Sequence, residues 1–449
     1  MTPGEARAWI AGLEILGMRF GLERTDALLA ALGDPQRSAP ALHVVGTNGK
    51  SSTARLAAAV LASQGLRPGL YMSPHVSDWT ERYVIDGAPL ADAAFAAAAA
   101  RVREAAEGLA LPEGERVTQF EALTAIAFTA FRAAGADALV VEAGLGGRYD
   151  ATNVLKPGAA VILTNVALEH TELLGDTEAA IAAEKLAVCA DGHDRLVVGP
   201  LTPAARAAVD AECARRGLRP LRYGDDLRAA GGEGGVDVTL PDGRYGGLPL
   251  ALRGGFQREN LAVAMAGARL VLGRPIDAGP LRPALAAVRM PGRLEVLPGA
   301  PPVLLDGAHN PAGMAALAGE LPALLEGRRP VVAVTSVLAD KDAAAMMGAL
   351  AGVADEVIAT RSAHRRAVPA GDLAATARGA ARARAPWPTR TGRSPPRARR
   401  RGRTARCWSQ APSTCSPTCA PRSWRPPRGP LLHSRAPGRA PIPPRRSRP

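Results

Sequence analysis

Ala41-Leu42-His43-Val44-Val45-Gly46-Thr47-Asn48-Gly49-Lys50-Ser51-Ser52 is the stretch on which the fold turns. Its first five residues carry no acid, lysine or arginine and read as a buried strand, and the glycines that follow end it. From Ser51 to Gln64 the apolar residues Leu56, Val60 and Leu61 recur at helical spacing, and Gly65 is placed to stop the helix. In a strand–loop–helix unit of this kind, glycines let backbone N–H groups approach a phosphate, and the helix N-terminus adds positive potential. Lys50 would then contact the β- and γ-phosphates of a nucleotide. Val44 stands where the longer G-x-x-x-x-G-K-[ST] pattern has its first glycine. Taken alone, the stretch also fits an ordinary turn between a strand and a helix.

Working outward, Ala138–Val141, Ala160–Thr164, Leu196–Val198, Val303–Leu305 and Val331–Val334 are further short apolar runs. They alternate with helix-like stretches such as Ala93–Glu107, the pattern of a parallel sheet covered by helices. Residues 224–247 are rich in Gly and Asp around one candidate strand, Val236–Leu240, and read as a surface ribbon. Open α/β sheets place ligands at the carboxyl edges of their strands, which directs attention to the residues that end these runs. Glu142 ends one of them and could hold Mg²⁺ against phosphates, or could equally be a capping or salt-bridged acid. His170 follows the next, where a structural histidine is the commoner reading. Asp306-Gly307-Ala308-His309-Asn310-Pro311 follows Val303–Leu305 and fits a nucleotide or phosphoacyl contact as well as a polar turn. Lys185, in Glu184-Lys185-Leu186, reads locally as a solvated helical lysine.

The chain has 449 residues and a formal net charge of +13, a balance that ordinarily suggests nucleic acid as a partner. The distribution argues otherwise. Residues 381–449 hold 18 arginines and no Asp, Glu or Lys, which leaves 37 basic against 42 acidic side chains in the body of the chain. Cys189 and Cys213 are the only cysteines before residue 400, too few for a disulfide framework or a cysteine metal cage. No apolar run approaches the ~18 residues needed to span a bilayer, and the beginning of the chain does not have the form of a secretion signal. A cytoplasmic protein of two or three domains, without membrane or nucleic-acid partners, is expected.

The motifs occur together, and in order, as in one known family. His43 to Lys50, Ser73-Pro74-His75, Glu81-Arg82, Phe120-Glu121-Ala122-Leu123-Thr124-Ala125 and Glu142-Ala143-Gly144-Leu145-Gly146-Gly147-Arg148 carry the likeness. Asp150-Ala151-Thr152-Asn153, His170-Thr171, Glu184-Lys185, Pro291-Gly292-Arg293 and Asp306 to Pro311 complete it. With these, residues 1–380 resemble the folylpolyglutamate synthase / dihydrofolate synthase family, a branch of the Mur-type ligases. The resemblance implies an ATP-dependent ligase that joins L-glutamate to a folate or dihydropteroate carboxylate through an acyl phosphate, acting as a monomer with Mg²⁺. It implies that Gly46, Thr47, Asn48, Gly49, Lys50, Ser51 and Ser52 hold the triphosphate, with Asn260, Arg293, Asp306 and His309 contacting ATP from the far side. Ser73, Glu142 and His170 correspond to magnesium ligands. Thr118, Gln119, Phe120, Glu121, Tyr149, Asp150 and Ala151 correspond to pterin-contacting segments, and Lys185 to a lysine that is carbamylated. Lys50, Lys185 and His170 are the expected catalytic groups. Ser51 stands where the family usually has glycine, which leaves open whether Ser51 or Ser52 faces phosphate. The expected fold is α/β: a P-loop domain with a doubly wound, mostly parallel sheet over residues 1–289, then a smaller Rossmann-like domain over 290–380. Another Mur-type ligase, a relic that binds ATP without turnover, and a nucleic-acid binder acting through the arginine tail are the alternatives.

The tail, 381–449, matches nothing in the family, and by composition it reads as disorder. GC-rich codons for Arg406–Trp424, taken from the third base of the Arg406 codon, retranslate as VLVTGSLYLLADLRAPEL. That peptide looks like a buried strand followed by a Gly-Ser turn and a helix, and it resembles the family's last core strand. Residues from about 380–386 onward therefore read as the product of a frameshift.

Overall fold

Why the loop after Ala41–Val45 is held so firmly follows from where that strand sits. The computed structural model describes residues 1–13, 21–155, 158–232, 235–382 and 408–409. Eight strands form the larger sheet: β1 (Ala41–Val45), β2 (Pro68–Tyr71), β3 (Tyr83–Ile85), β4 (Ala88–Pro89), β5 (Ala138–Glu142), β6 (Ala160–Leu163), β7 (Leu196–Val198) and β8 (Pro220–Arg222). Their order is β4-β3-β2-β5-β1-β6-β7-β8, parallel except for β3 and β4 at one edge. β1 is central, with β5 and β6 on its two sides, and all five of its residues are buried.

The side chains of β1 alternate between faces. Leu42 and Val44 pack with Leu56, Val60 and Leu61 of the helix Lys50–Ser63 and with Val263 and Met265 of the helix Phe256–Leu272. Ala41 joins Phe128 and Phe131 of the helix Gln119–Ala133 on the other face, and Val45 joins Leu163, Ile181 and Leu186. A sheet covered on both faces is the doubly wound arrangement expected from near-continuous apolar strands. Each fully buried Leu or Val contributes about 1.5–3 kcal/mol, so the strand that launches the loop is among the best anchored in the chain.

The Gly- and Asp-rich segment differs from its reading as a surface ribbon around one strand. It forms a three-stranded antiparallel sheet of β9 (Arg228–Gly232), β10 (Gly235–Leu240) and β11 (Gly243–Leu248). Val236, Val238 and Leu240, together with Tyr245 and Leu248, enter the same core as the helix Phe256–Leu272. Only β10 carries a clean period-two pattern; glycines in β9 and β11 hide the rest.

After Met290 a second sheet begins, with β12 (Glu295–Leu297), β13 (Val303–Asp306), β14 (Val332–Thr335) and β15 (Glu356–Ala359). Its order is β12-β13-β16-β14-β15, where β16 is the pair Trp408–Ser409, parallel to both neighbours. The helices Pro311–Leu325, Ala343–Leu350 and Ala370–Arg382 accompany it, and Met314, Leu317, Met346, Met347 and Leu373 form its core. Apart from Ala381, Arg382 and Trp408–Ser409, the tail lies outside the described residues. Among the described residues no helix is long and apolar enough to cross a membrane.

Candidate functional site

Gly46 to Ser52 emerge from the carboxyl end of β1. Gly46 has φ 146°, and a Cβ there would overlap the Thr164 hydroxyl; Gly49 has φ 81° and would bring a Cβ within 2.8 Å of Asn260 Oδ1. Both positions need glycine. The chain leaving β6 braces the loop. Thr47 N–H donates to the Asn165 carbonyl (3.1 Å), Asn48 N–H to Asn165 Oδ1 (2.9 Å), and Thr164 Oγ1 to the Asn48 carbonyl (2.7 Å). Lys50 Nζ donates to the carbonyls of Gly46 (2.9 Å) and Thr47 (3.0 Å). Lys50 also begins the helix, so the first-turn N–H groups open at the loop with no side-chain cap.

The structure separates the two serines after the lysine. Ser51 Oγ donates to Glu142 Oε1 (2.8 Å), while Ser52 Oγ accepts from Gln257 Nε2 (3.3 Å). Glu142 Oε2 accepts from the Ser73 N–H (3.0 Å). Burial raises the Glu142 pKa, and nearby Lys50 opposes that shift first, then the hydrogen bonds from Ser73 and Ser51. A buried carboxylate with serine oxygens beside it is a hard-oxygen donor set that fits Mg²⁺. His170 stands apart from these contacts. It has a left-handed backbone (φ 45°), and Lys341 Nζ lies 3.1 Å from its Nε2. Burial, and then Lys341, hold His170 down to a pKa of about 4, so it is neutral near pH 7.

Lys185 is not the solvated helical lysine of the local reading. Its side chain is buried, and Nζ donates to Glu169 Oε1 (2.7 Å) and to the Gly46 carbonyl (3.0 Å). Burial alone would raise Glu169, but Lys50 and Lys185 bring it down to about 2. A buried pair of this kind is costly to break, because the remaining charge is left uncompensated. The carbamylated form implied by the resemblance would set two anions side by side, an arrangement that needs a cation between them.

From the other side, the loop after β13 reaches the Gly46–Ser52 loop. Asn310 Nδ2 donates to Asn48 Oδ1 (3.0 Å), and Asn310 also caps the helix Pro311–Leu325. Asp306 accepts from the N–H groups of Leu294 (2.9 Å) and Ala308 (2.8 Å), so its carboxylate fixes the loop. His309 Nδ1 lies 3.0 Å from the Gly307 carbonyl; burial lowers its pKa, and Arg293, Lys50 and Lys341 are the charges that lower it further. Asn260 Nδ2 donates to Gln257 Oε1 (2.9 Å) beside Gly49. Asn260 thus lies against Gly49, Arg293 lies against Gly307, and the loop carrying Asp306 and His309 is tied to Asn48 through Asn310.

The segments compared with pterin contacts divide. Thr118 and Glu121 form a capping box at the helix Gln119–Ala133, Glu121 pairs with the buried Arg24 (2.9 Å), and Gln119 donates to the Ile10 carbonyl (2.8 Å). Phe120 packs under Gly144, where a Cβ would lie 2.4 Å from its ring, and near Tyr71. Tyr149 is 40% exposed, whereas Asp150 and Ala151 are buried. Asn165, Glu169, Gln257 and Lys341 received no role from the sequence. Asn165 and Lys341 follow strand ends, so the rule that singled out Glu142 could have found them.

Two domain families match this chain: the Mur ligase middle domain over residues 44–268 and the Mur ligase glutamate ligase domain over residues 292–393. The folylpolyglutamate synthase of Lacticaseibacillus casei is 39% identical over 355 residues, covering 77% of this chain and 82% of that protein. The dihydrofolate synthase/folylpolyglutamate synthase of Mycobacterium tuberculosis is 36% identical over 404 residues, 84% of this chain and 82% of that protein. A solved folylpolyglutamate synthase complex with AMPPCP and folate superposes with a TM-score of 0.73 at 38% identity, covering 79% of this chain and 88% of that one. With the strand-end glycine loop, the Glu142 carboxylate and the Asp306–Asn310 loop meeting at one place, these likenesses have a single meaning: the chain belongs to the folylpolyglutamate synthase / dihydrofolate synthase family of Mur-type ligases.

Proposed function

We propose that this chain is a ligase that uses ATP to phosphorylate a carboxylate of a folate or dihydropteroate acceptor and then joins L-glutamate to it. A carboxylate oxygen attacks the γ-phosphorus as the P–O bond to ADP breaks; the amine of glutamate then attacks the acyl phosphate carbon, the C–N bond forms, and phosphate leaves with the C–O bonding pair and takes up the proton that the nitrogen gives up. The observation that carries this reading is the contact between Asn48 and Asn310, which ties the loop bearing Asp306 and His309 to the loop bearing Lys50. Phosphoryl transfer needs positioning and charge stabilisation more than covalent help. Lys50 and the open N–H groups of its helix supply that stabilisation. Mg²⁺, held by Ser73, Glu142 and His170 with the Ser51 hydroxyl beside Glu142, would neutralise charge on the phosphoryl oxygens. Lys185 and Glu169 tie the helix behind the site to Gly46. A monomer acting in the cytoplasm completes the reading, in keeping with a body of the chain that has only two cysteines before residue 400.

The test is ADP release with L-glutamate and each pterin acceptor in turn. ADP is expected only when acceptor and glutamate are both present. Release with a cell-wall precursor and none with any pterin would move the chain to another branch of the Mur-type ligases, and ATP binding without turnover would mark a relic.

Magnesium dependence follows from the same site. Glu142→Gln keeps an acceptor oxygen for the Ser73 N–H, presents an amide N–H to the Ser51 oxygen and removes the charge, and is expected to raise the Mg²⁺ concentration at half-maximal rate roughly tenfold. His170→Ala is expected to raise it as well. Unchanged magnesium titrations in both variants would remove these residues from the metal site.

A further inference from the structure

The helix Pro311–Leu325 is fastened to the lobe of the larger sheet at two places. At its start the cap residue Asn310 donates to Asn48 Oδ1 (3.0 Å). About 15 Å farther along the helix, at 1.5 Å per residue, Glu320 Oε1 accepts from the Gly255 N–H (2.7 Å). Gly255 is the N-cap of the helix Phe256–Leu272 and has no side chain with which to cap it. The carboxylate of Glu320, from the other lobe, stands at that helix start, where an anion is favoured.

The helix that Glu320 meets leads back to the Gly46–Ser52 loop. Gln257, 1% exposed, donates to Ser52 Oγ (3.3 Å), and Asn260 donates to Gln257 Oε1 (2.9 Å) while lying against Gly49. Phe256, in the same first turn, packs on the core of Met314, Leu317 and Met346. A Cβ on Gly254 would meet its ring at 2.8 Å and Leu294 Cδ1 at 2.9 Å, so both lobes are in contact here. The hydrogen bonds therefore close a ring: from Asn48 to Asn310, along the helix to Glu320, across to Gly255, and back through Gln257 and Asn260 to Ser52 and Gly49. A helix tied at one end can swing about the tie. Tied at both ends, it moves only by breaking a hydrogen bond.

We infer that Glu320 is a positioning residue for the nucleotide: by holding the Gly255 N–H it fixes the helix Pro311–Leu325, and with it the Asp306–His309 loop, against the helix that carries Gln257 and Asn260. The inference rests on the reading of Gly46–Ser52, Asn260, Asp306 and His309 as nucleotide contacts. Those contacts come from both lobes, so the affinity for a nucleotide depends on how closely their spacing is fixed before it binds. Glu320 touches no reacting atom and acts through Gly255 alone.

The experiment measures binding of ADP and of dihydropteroate to the full chain and to Glu320→Ala, Glu320→Gln and Lys50→Ala. Glu320→Ala removes the acceptor and is expected to weaken ADP roughly tenfold, with dihydropteroate within about twofold. Glu320→Gln keeps an acceptor oxygen and is expected to hold ADP within about threefold of the parent. A carboxylate that served only as a helix cap would lower the melting temperature and leave ADP affinity where it was; that result overturns the inference. So does a Glu320→Gln variant as weak as Glu320→Ala, or an equal loss of dihydropteroate. Lys50→Ala separates the two layers of the argument. If it binds ADP as the parent does, the nucleotide site is misplaced and the inference falls with it; if it loses ADP while Glu320→Ala does not, the site stands and the role of Glu320 is wrong. Hydrogen exchange gives a reading without any ligand. In Glu320→Ala the Ala308 N–H, held by Asp306, is expected to exchange faster while the amides of Ala41–Val45 keep the parent rate, and unchanged exchange at Ala308 would overturn the inference.

Discussion

Lys50→Ala is expected to abolish ligation while leaving the fold intact. Lys50 Nζ hydrogen-bonds the carbonyls of Gly46 and Thr47 in its own loop, so its removal breaks no hydrogen bond to another element, although the buried carboxylates of Glu142 and Glu169 lose a charge that favours their ionised forms. Alanine is the best helix former and suits the first position of the helix Lys50–Ser63. The loop keeps its other ties, through Asn165 and Thr164. What disappears is a cation at the β- and γ-phosphates. Loss of one well-placed charge contact to a transferring phosphoryl group costs about 3–4 kcal/mol, a hundredfold or more in rate. ADP release and a thermal melt on the same preparation check both halves. Near-normal turnover would sink the assignment of Gly46–Ser52 as the phosphate loop, and a collapsed melt would mean that Lys50 acts through the fold.

The fold was legible where local pattern and tertiary placement agree. Ala41–Val45, Ala138–Glu142 and Ala160–Leu163 are apolar runs because they are buried on both faces, and the polar residue after such a run must fall at the carboxyl edge. That one rule located Gly46–Lys50, Glu142 and the Asp306–Asn310 loop. It could not reveal Lys185, whose burial is set by Glu169 and by a carbonyl of Gly46 from the far end of β1. A helix presents the same sequence whether a lysine on it meets water or a carboxylate from another loop. The serine ambiguity was of the same kind: Ser51 and Ser52 are adjacent and chemically equal, and only Glu142 on one side and Gln257 on the other distinguish them.

The second sheet bears on the frameshift reading, and restoring the alternate frame is expected to have the largest effect on the behaviour of the chain. In β1 every residue is buried, but in β13 every residue is only half-buried, although β13 also lies inside its sheet, antiparallel to β12 and parallel to Trp408–Ser409. Parallel sheets are covered on both faces, so this lobe has too little material over it. Among the described residues, the slot between β13 and β14, each four residues long, holds Trp408–Ser409, paired to Leu305 and Asp306 on one side and to Val334 and Thr335 on the other. The written sequence around that pair is Arg-Thr-Ala-Arg-Cys before it and Gln-Ala-Pro after it, with charge and proline where a central strand needs apolar residues that can donate to the ladder. In the alternate frame, Val-Leu-Val falls on codons 407–409, over the same slot. Thr-Gly-Ser follows at the edge that carries Asp306 and Thr335, close in the sheet to the loop of His309. As written, the chain should express poorly or aggregate, since unpaired strand edges and uncovered apolar surface promote association. Adding or removing one base near codons 380–386 should yield a soluble ligase that melts in one cooperative transition and releases ADP with glutamate and a pterin acceptor. The nucleotide sequence decides first: codons 406–424 must encode the strand-like VLVTGSLYL in the shifted frame. If they do not, the arginine tail belongs to the protein, and the half-buried β13 must find its cover in something other than a continuation of this gene.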